Sequence, residues 1–162
     1  MAAAEQKTNV MRMLEQKKIR YTAHEYPHGD EAVDGVTVAN LTGIAEEKIY
    51  KTLVARGASK NIFVFVIPVA KELDLKKAAK AVGEKSIAMI HVSEINAITG
   101  YIRGGCSPIG MKKQFRTVYN SSIEDLESVL VSAGKIGYQI EIAPQDLIKM
   151  TRGQTADIIT EG

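Results

Sequence analysis

Two stretches of this chain carry residues whose types and spacing could do chemistry. The first is Gly100-Tyr101-Ile102-Arg103-Gly104-Gly105-Cys106-Ser107-Pro108-Ile109-Gly110-Met111-Lys112-Lys113, with four glycines, a Ser-Pro step and two lysines in fourteen residues. Glycines let a backbone approach a ligand closely and take positive φ without steric cost. Successive N–H groups around glycines form an anion nest or an oxyanion hole, and lysines meet phosphate. The stretch reads as a binding loop, with a tight bulged corner as the purely structural alternative. The second stretch is Ile49-Tyr50-Lys51-Thr52-Leu53-Val54-Ala55, an apolar strand pattern that contains a lysine.

In that strand Ile49, Lys51, Leu53 and Ala55 share one face, and Tyr50, Thr52 and Val54 share the other. Neither face reads as open solvent. A lysine there must reach water, find an anionic partner or lower its pKa. It is either an ammonium aimed into a pocket, at a phosphate or a carbonyl oxygen, or a rim lysine whose stem covers apolar surface. Cys106 is the one thiol. It could be a nucleophile with His24, His28 or His91 as base, but nothing places a histidine beside it, and a lone cysteine usually behaves as a small buried hydrophobe. His24 lies mid-strand and reads as structural. His28 borders a polar loop and is a weak pocket candidate. Asp30, Glu31 and Asp34 read as loop solvation, and no Cys/His spacing suggests zinc. No metal or cofactor is expected. Lys112, Lys113 and Arg116 strengthen the loop as an anion site, as would Lys76, Lys77 and Lys80 on the same surface. A solvated charged face is the bland alternative.

The elements that must position these residues are short. Residues 8–19 have helical spacing with Thr8 as a cap. Residues 21–26 form a strand ending at Pro27, followed by a polar loop over 28–35 and a short helix over 36–41 closed by Gly43. Residues 49–55 and 61–68 pair as a hairpin, and the second strand is apolar on both faces, hence central and covered. Residues 73–82 form a helix capped by Asp74. A short strand over 86–90 and a helix over 92–98 precede the glycine loop. Strands over 117–119, 128–132 and 138–143, a helix beginning at Pro144 and a closing strand over 155–159 complete the chain. Without regular βαβ alternation, the prediction is an α/β fold of the α+β type. It has a mixed, largely antiparallel, barrel-like sheet surrounded by short helices.

The 162 residues suffice for one domain, residues 1–162, and carry a net charge of +2. So balanced a charge argues against strong non-specific nucleic-acid binding and leaves any RNA contact to local patches. No apolar run approaches the roughly 20 residues of a membrane span, and residues 1–7 lack a signal-peptide core. A cytoplasmic protein without membrane association is the expectation.

Tyr50-Lys51-Thr52-Leu53, Pro68-Val69-Ala70-Lys71-Glu72-Leu73-Asp74-Leu75-Lys76-Lys77 and the Gly100–Lys113 loop appear in order. With Gly134-Lys135, Ile140-Glu141-Ile142 and Asp146-Leu147, they resemble the YbaK (EbsC) family over essentially the whole chain. That family comprises trans-editing proteins similar to the insertion domain of bacterial prolyl-tRNA synthetases. The resemblance implies the YbaK/prolyl-tRNA synthetase associated domain fold and a deacylase that releases cysteine from mischarged Cys-tRNA(Pro), and also from Cys-tRNA(Cys). It implies aminoacyl-tRNA as substrate and prolyl-tRNA synthetase as partner, and the near-balanced charge, with the weak intrinsic tRNA affinity it suggests, points to a ternary complex. By the same resemblance Lys51 is the essential pocket lysine, and Tyr26, Thr52, Gly104 and Gly105 line the aminoacyl site. Gln139 stands where the family often has Asp, keeping a hydrogen-bonding group and losing the charge.

The absence of a convincing protein nucleophile suits a cysteinyl ester, which brings its own thiol. Attack of that thiol on its own carbonyl gives a strained thiolactone and frees the tRNA. Lys51 with the Gly104 and Gly105 N–H groups is expected to stabilise the oxyanion. Ser107 and Arg103 are substrate contacts by loop position alone, and Lys112 and Lys113 are the tRNA contacts. Alternatives are an editing deacylase for another small amino acid such as alanine, a non-catalytic module that binds tRNA or a synthetase, and a Cys106-dependent hydrolase.

Overall fold

A computed structural model describes residues 7–26, 39 and 43–161 of the chain. The loop over 28–35 and the helix over 36–41 fall outside the described residues, apart from Ala39. Gly43 takes φ +73° and its N–H reaches Ala39 O at 2.9 Å.

Among the described residues the chain forms four α-helices and eight strands. Helix α1 (Asn9–Gln16) starts where Thr8 Oγ1 accepts the Met11 N–H, and it buries Val10, Met11 and Leu14. Strand β1 (Tyr21–Glu25) follows. Strands β2 (Tyr50–Gly57) and β3 (Ile62–Pro68) are the expected hairpin, in register from Tyr50 opposite Pro68 to Arg56 opposite Ile62. Helix α2 (Leu75–Val82) begins where Asp74 Oδ1 accepts the N–H groups of Lys76 and Lys77, each at 3.0 Å. It ends at Gly83, whose φ of +73° favours glycine. Strand β4 (Ile87–Met89), a 3-10 turn (Val92–Glu94) and helix α3 (Ile95–Thr99) lead to the glycine loop. Beyond it lie β5 (Arg116–Asn120), β6 (Val129–Lys135), β7 (Tyr138–Ile142), α4 (Pro144–Thr151) and β8 (Gln154–Ala156).

The strands make two sheets. One is antiparallel, in the order β1-β7-β6, and the other is mixed, in the order β4-β2-β3-β5-β8. In the mixed sheet β4, β2 and β3 are antiparallel neighbours, whereas β3-β5 and β5-β8 are parallel. The two sheets meet where Ile49 bridges Leu130 in parallel. They are not closed into a barrel, which corrects the barrel-like sheet drawn from the pattern of short strands. Strand β3 is central and covered, as its continuous apolar run requires. Phe63, Phe65 and Ile67 pack with α2 on one face, while Val64 and Val66 join the main core of α1, β6 and β7 on the other. None of the described helices is long and apolar enough to cross a membrane.

Candidate active site

Lys51 sits on β2 opposite Ile67, with Leu53 opposite Phe65 on the same face. One step earlier on that face Ile49 packs with Tyr26, Ala39 and Leu130. The lysine is therefore held between two apolar clusters. It is half-buried and has no hydrogen-bond or ion-pair partner among the described residues. Thr52, opposite Val66, faces the main core instead, and its Oγ1 is buried without a partner. The side chains of Lys51 and Thr52 thus diverge to opposite faces of the strand.

The Ile49–Leu130 bridge decides what lies beside the lysine. Because β2 and β6 run parallel there, Lys51 lies two residues past the bridge on one strand and Ser132 two residues past it on the other. Ser132 is opposite Gln139 on β7, which in turn is opposite His24 on β1. One face therefore carries Lys51, Ser132, Gln139 and His24 in lateral succession. Two strand spacings, roughly 10 Å, separate the first from the third, with the small side chain of Ser132 between them. Gln139 is only 7% exposed, and its Oε1 has no partner. Tyr26 ends the row, its N–H held by Gly137 O at 2.9 Å.

The glycine loop approaches this end of the sheet from the side. The Gly105 N–H donates to Ile102 O at 3.0 Å, and Gly104 at the third position takes φ +84°, as a type II turn demands. A Cβ on Gly105 would lie 3.2 Å from Ile136 N and 3.3 Å from Lys135 Cα. Glycine is needed there because the loop backbone lies against the β6–β7 turn. Tyr101 pins the loop: its Oη donates to Ile109 O at 2.5 Å, and its N–H reaches Thr99 Oγ1 at 3.0 Å. Among the described residues the Gly104 N–H has no partner at the exposed apex.

A second polar group adjoins the row. Glu141, on the same face of β7 as Gln139, accepts from Ser128 Oγ, from His24 Nε2 at 2.9 Å and from Lys48 Nζ at 3.2 Å. These bonds, the Ser128 hydroxyl foremost, hold its carboxyl down at about 2.

Residues 30–150 match the aminoacyl-tRNA editing domain family. The chain belongs to that family. It is 48% identical to an Enterococcus faecalis protein provisionally named the Cys-tRNA(Pro)/Cys-tRNA(Cys) deacylase EbsC, over 97% of this chain and 96% of that one. A proline–tRNA ligase of Thermoanaerobacter sp. (strain X514) is 24% identical over 64% of this chain and 18% of the ligase. A crystal structure provisionally described as a trans-editing enzyme for prolyl-tRNA synthetase superposes with a TM-score of 0.79 at 22% identity, covering 97% of this chain and 100% of that one. That last likeness bears on the fold alone. Membership makes the chain an aminoacyl-tRNA deacylase.

The editing domain distributes the expected site residues unevenly. Lys51, Gln139 and Tyr26 come together on one side of the sheet junction, and Gly104 and Gly105 lie at the end of the same strands. Gly105 serves by close packing, since its N–H is committed to the turn, so of the two expected oxyanion donors only the Gly104 N–H is free. Ser107 is fully buried and its Oγ accepts the Ile109 N–H at 3.3 Å, which makes it a turn residue. Lys112 and Lys113 are exposed, and Lys112 Nζ leans on Ala97 O at 3.4 Å. Arg116 is spent on Gln154 and on Ala81 and Val82 carbonyls at the end of α2. Lys77 is tied to Asp157 and to Ile159 O. Burial pushes the Cys106 thiol up to about 11. Of the histidines proposed as its base, His91 caps the Val92–Glu94 turn and His24 bonds Glu141. His28, Asp30, Glu31 and Asp34 lie outside the described residues. The chemistry of a thiolate nucleophile has no support at Cys106.

Ser132 is the member of this face that the sequence did not single out, while His24 reads there as structural and Glu141 enters only within the Ile140-Glu141-Ile142 motif. The signal is the alternation of β6 and β7, which puts Ser132, Gln139 and Glu141 on one side once the hairpin register is known.

Proposed function

We propose that this protein is a trans-editing deacylase that releases cysteine from mischarged Cys-tRNA(Pro). It also accepts Cys-tRNA(Cys) and works in a ternary complex with prolyl-tRNA synthetase. The observation that carries the reading is Lys51, a half-buried lysine without a counter-charge on the face that also bears the unpaired amide of Gln139. Editing requires a group that meets the ester oxygen or the terminal ribose-phosphate, and Lys51 supplies it.

The substrate's own thiol attacks its ester carbonyl. Lys51 and the Gly104 N–H stabilise the oxyanion, each such donor being worth roughly 3 kcal/mol. Tyr26, Ser132 and Gln139 hold the aminoacyl group in the reactive rotamer, and such positioning is worth several kcal/mol. Thr52 supports the strand from the core side, Gly105 seats the loop, and Ser107 shapes its far side. Lys112 and Lys113 meet acceptor-stem phosphates. With a net charge of only +2, the chain has weak intrinsic affinity for tRNA, and tRNA identity is read by the synthetase.

Multiple-turnover deacylation of Cys-tRNA(Pro), with the native chain and with Lys51→Ala, tests this. The native chain turns over, and the variant loses about 100-fold or more in kcat. Unchanged release by a folded variant removes Lys51 from the mechanism. Equal native rates on Ala-tRNA(Pro) refute thiol assistance, since alanine carries no nucleophile.

A further inference from the structure

The substrate-assisted reaction needs a group that takes a proton from the attacking thiol and returns one to the leaving ribose oxygen. Lys51 and a backbone N–H can stabilise charge but do not perform that exchange. The row of residues beside Lys51 contains one group that can.

His24 is the cross-strand partner of Gln139, which sets their Cβ atoms about 5 Å apart on one face. Its Nε2 lies 2.9 Å from Glu141 Oε1. Glu141 is ionised near neutral pH and therefore only accepts hydrogen bonds. Its other oxygen already receives Ser128 Oγ and Lys48 Nζ. The Nε2 of His24 must be the donor. In the neutral ring this leaves the lone pair on Nδ1, which has no partner among the described residues. The imidazole is 27% exposed, so a substrate can reach it. A carboxylate that fixes the tautomer of a histidine and leaves its other nitrogen free is an arrangement that general-base catalysis uses.

We propose that His24 is the proton-transfer residue of the deacylation, with Glu141 as its positioning residue. This rests on the reading of the substrate as a cysteinyl ester. Nδ1 removes the thiol proton as the sulfur electron pair forms the S–C bond to the ester carbonyl carbon. The carbonyl π pair moves onto oxygen, facing Lys51 and the Gly104 N–H. On collapse the C=O re-forms and the C–O bond to the ribose breaks. The proton on Nδ1 then passes to the leaving ribose oxygen. The products are the β-thiolactone of cysteine and free tRNA, with His24 neutral again, and water opens the thiolactone to cysteine. The charged groups that face His24 among the described residues are Glu141 from β7 and Lys48 from the Glu46–Lys48 turn, and Lys51 of β2 stands three strand spacings, roughly 15 Å, along the row.

The test uses the full chain and Cys-tRNA(Pro). His24→Gln keeps an N–H donor for Glu141 but has no base. It lowers kcat about 100-fold with KM within about threefold, and the acid-side fall of the kcat–pH profile moves up toward the pKa of the substrate's own thiol, about 8.5. In His24→Ala, free imidazole at tens of millimolar restores at least tenfold. Glu141→Gln, which leaves the ring orientation unspecified, loses about tenfold in kcat. An active native chain with His24→Gln at the native kcat overturns the proposal while leaving the substrate assignment intact. So does a loss that imidazole does not rescue and that leaves the acid-side fall in place, because only a structural role remains. A native chain inactive on Cys-tRNA(Pro) overturns both.

Discussion

Glu141 joins three elements that carry the site: β1 through His24, the turn before Lys51 through Lys48, and the start of β6 through Ser128. Replacing it by Gln keeps the shape and removes the charge. The magnitude follows from linkage. The carboxyl falls from an ordinary 4.5 to about 2 in the fold, which taken at face value is about 3 kcal/mol. The side chain is one-quarter exposed, and water screens the pair with Lys48, so about 1–2 kcal/mol is expected. The sign is fixed by the direction of the shift. A depressed carboxyl stabilises the fold above its unfolded value and loses that contribution as pH falls through the folded one. Glu141→Gln should therefore be less stable than the native chain by about 1–2 kcal/mol at pH 7, or about 3–6 °C in Tm for a domain of this size. The gap should narrow below about pH 4.5 and close near pH 2. Urea unfolding at pH 7, 4 and 3 measures it. A gap that is absent at pH 7, or that persists undiminished at pH 3, would refute the reasoning.

Gly105→Ala places a Cβ 3.2 Å from Ile136 N and 3.3 Å from Lys135 Cα, backbone atoms that cannot swing aside. It should cost about 1–3 kcal/mol and, by shifting the Gly104 N–H, lower kcat about tenfold; a variant with native kcat contradicts the loop's role. Cys106, with its thiol at about 11, should react with iodoacetamide at pH 7.5 about 100-fold more slowly than a free thiol of pKa about 8.5. Labelling at the free-thiol rate would show that the thiol is not desolvated. Asp74→Ala removes the two cap hydrogen bonds of α2 and should cost about 1 kcal/mol, seen as a Tm lower by about 2–4 °C; an unchanged Tm assigns the cap no net value.

Local chemistry was legible in the chain because it is written in neighbouring residues. Thr8 and Asp74 announce their helices through side-chain oxygens that the next turn's N–H groups need. The alternation about Lys51 predicts its separation from Thr52, which β2 bears out. The unbroken apolar run of β3 predicts its cover on both faces. The motif order resembled an editing family, and the match over residues 30–150 confirms it.

What stands beside Lys51 was not legible. Ser132 and Gln139 come onto its face only because Ile49 pairs with Leu130 across the sheet junction. Such a pairing depends on two distant strands burying their apolar faces together, and no local pattern encodes it. The same holds for Gly105, whose need for glycine comes from the β6–β7 turn against it, and for His24, whose free nitrogen is set by a carboxylate on another strand. Sequence alone determined which residues could do chemistry and on which face of its own strand each would lie. Tertiary structure decided which faces meet, because strand pairing and core burial act between segments that are far apart in the chain.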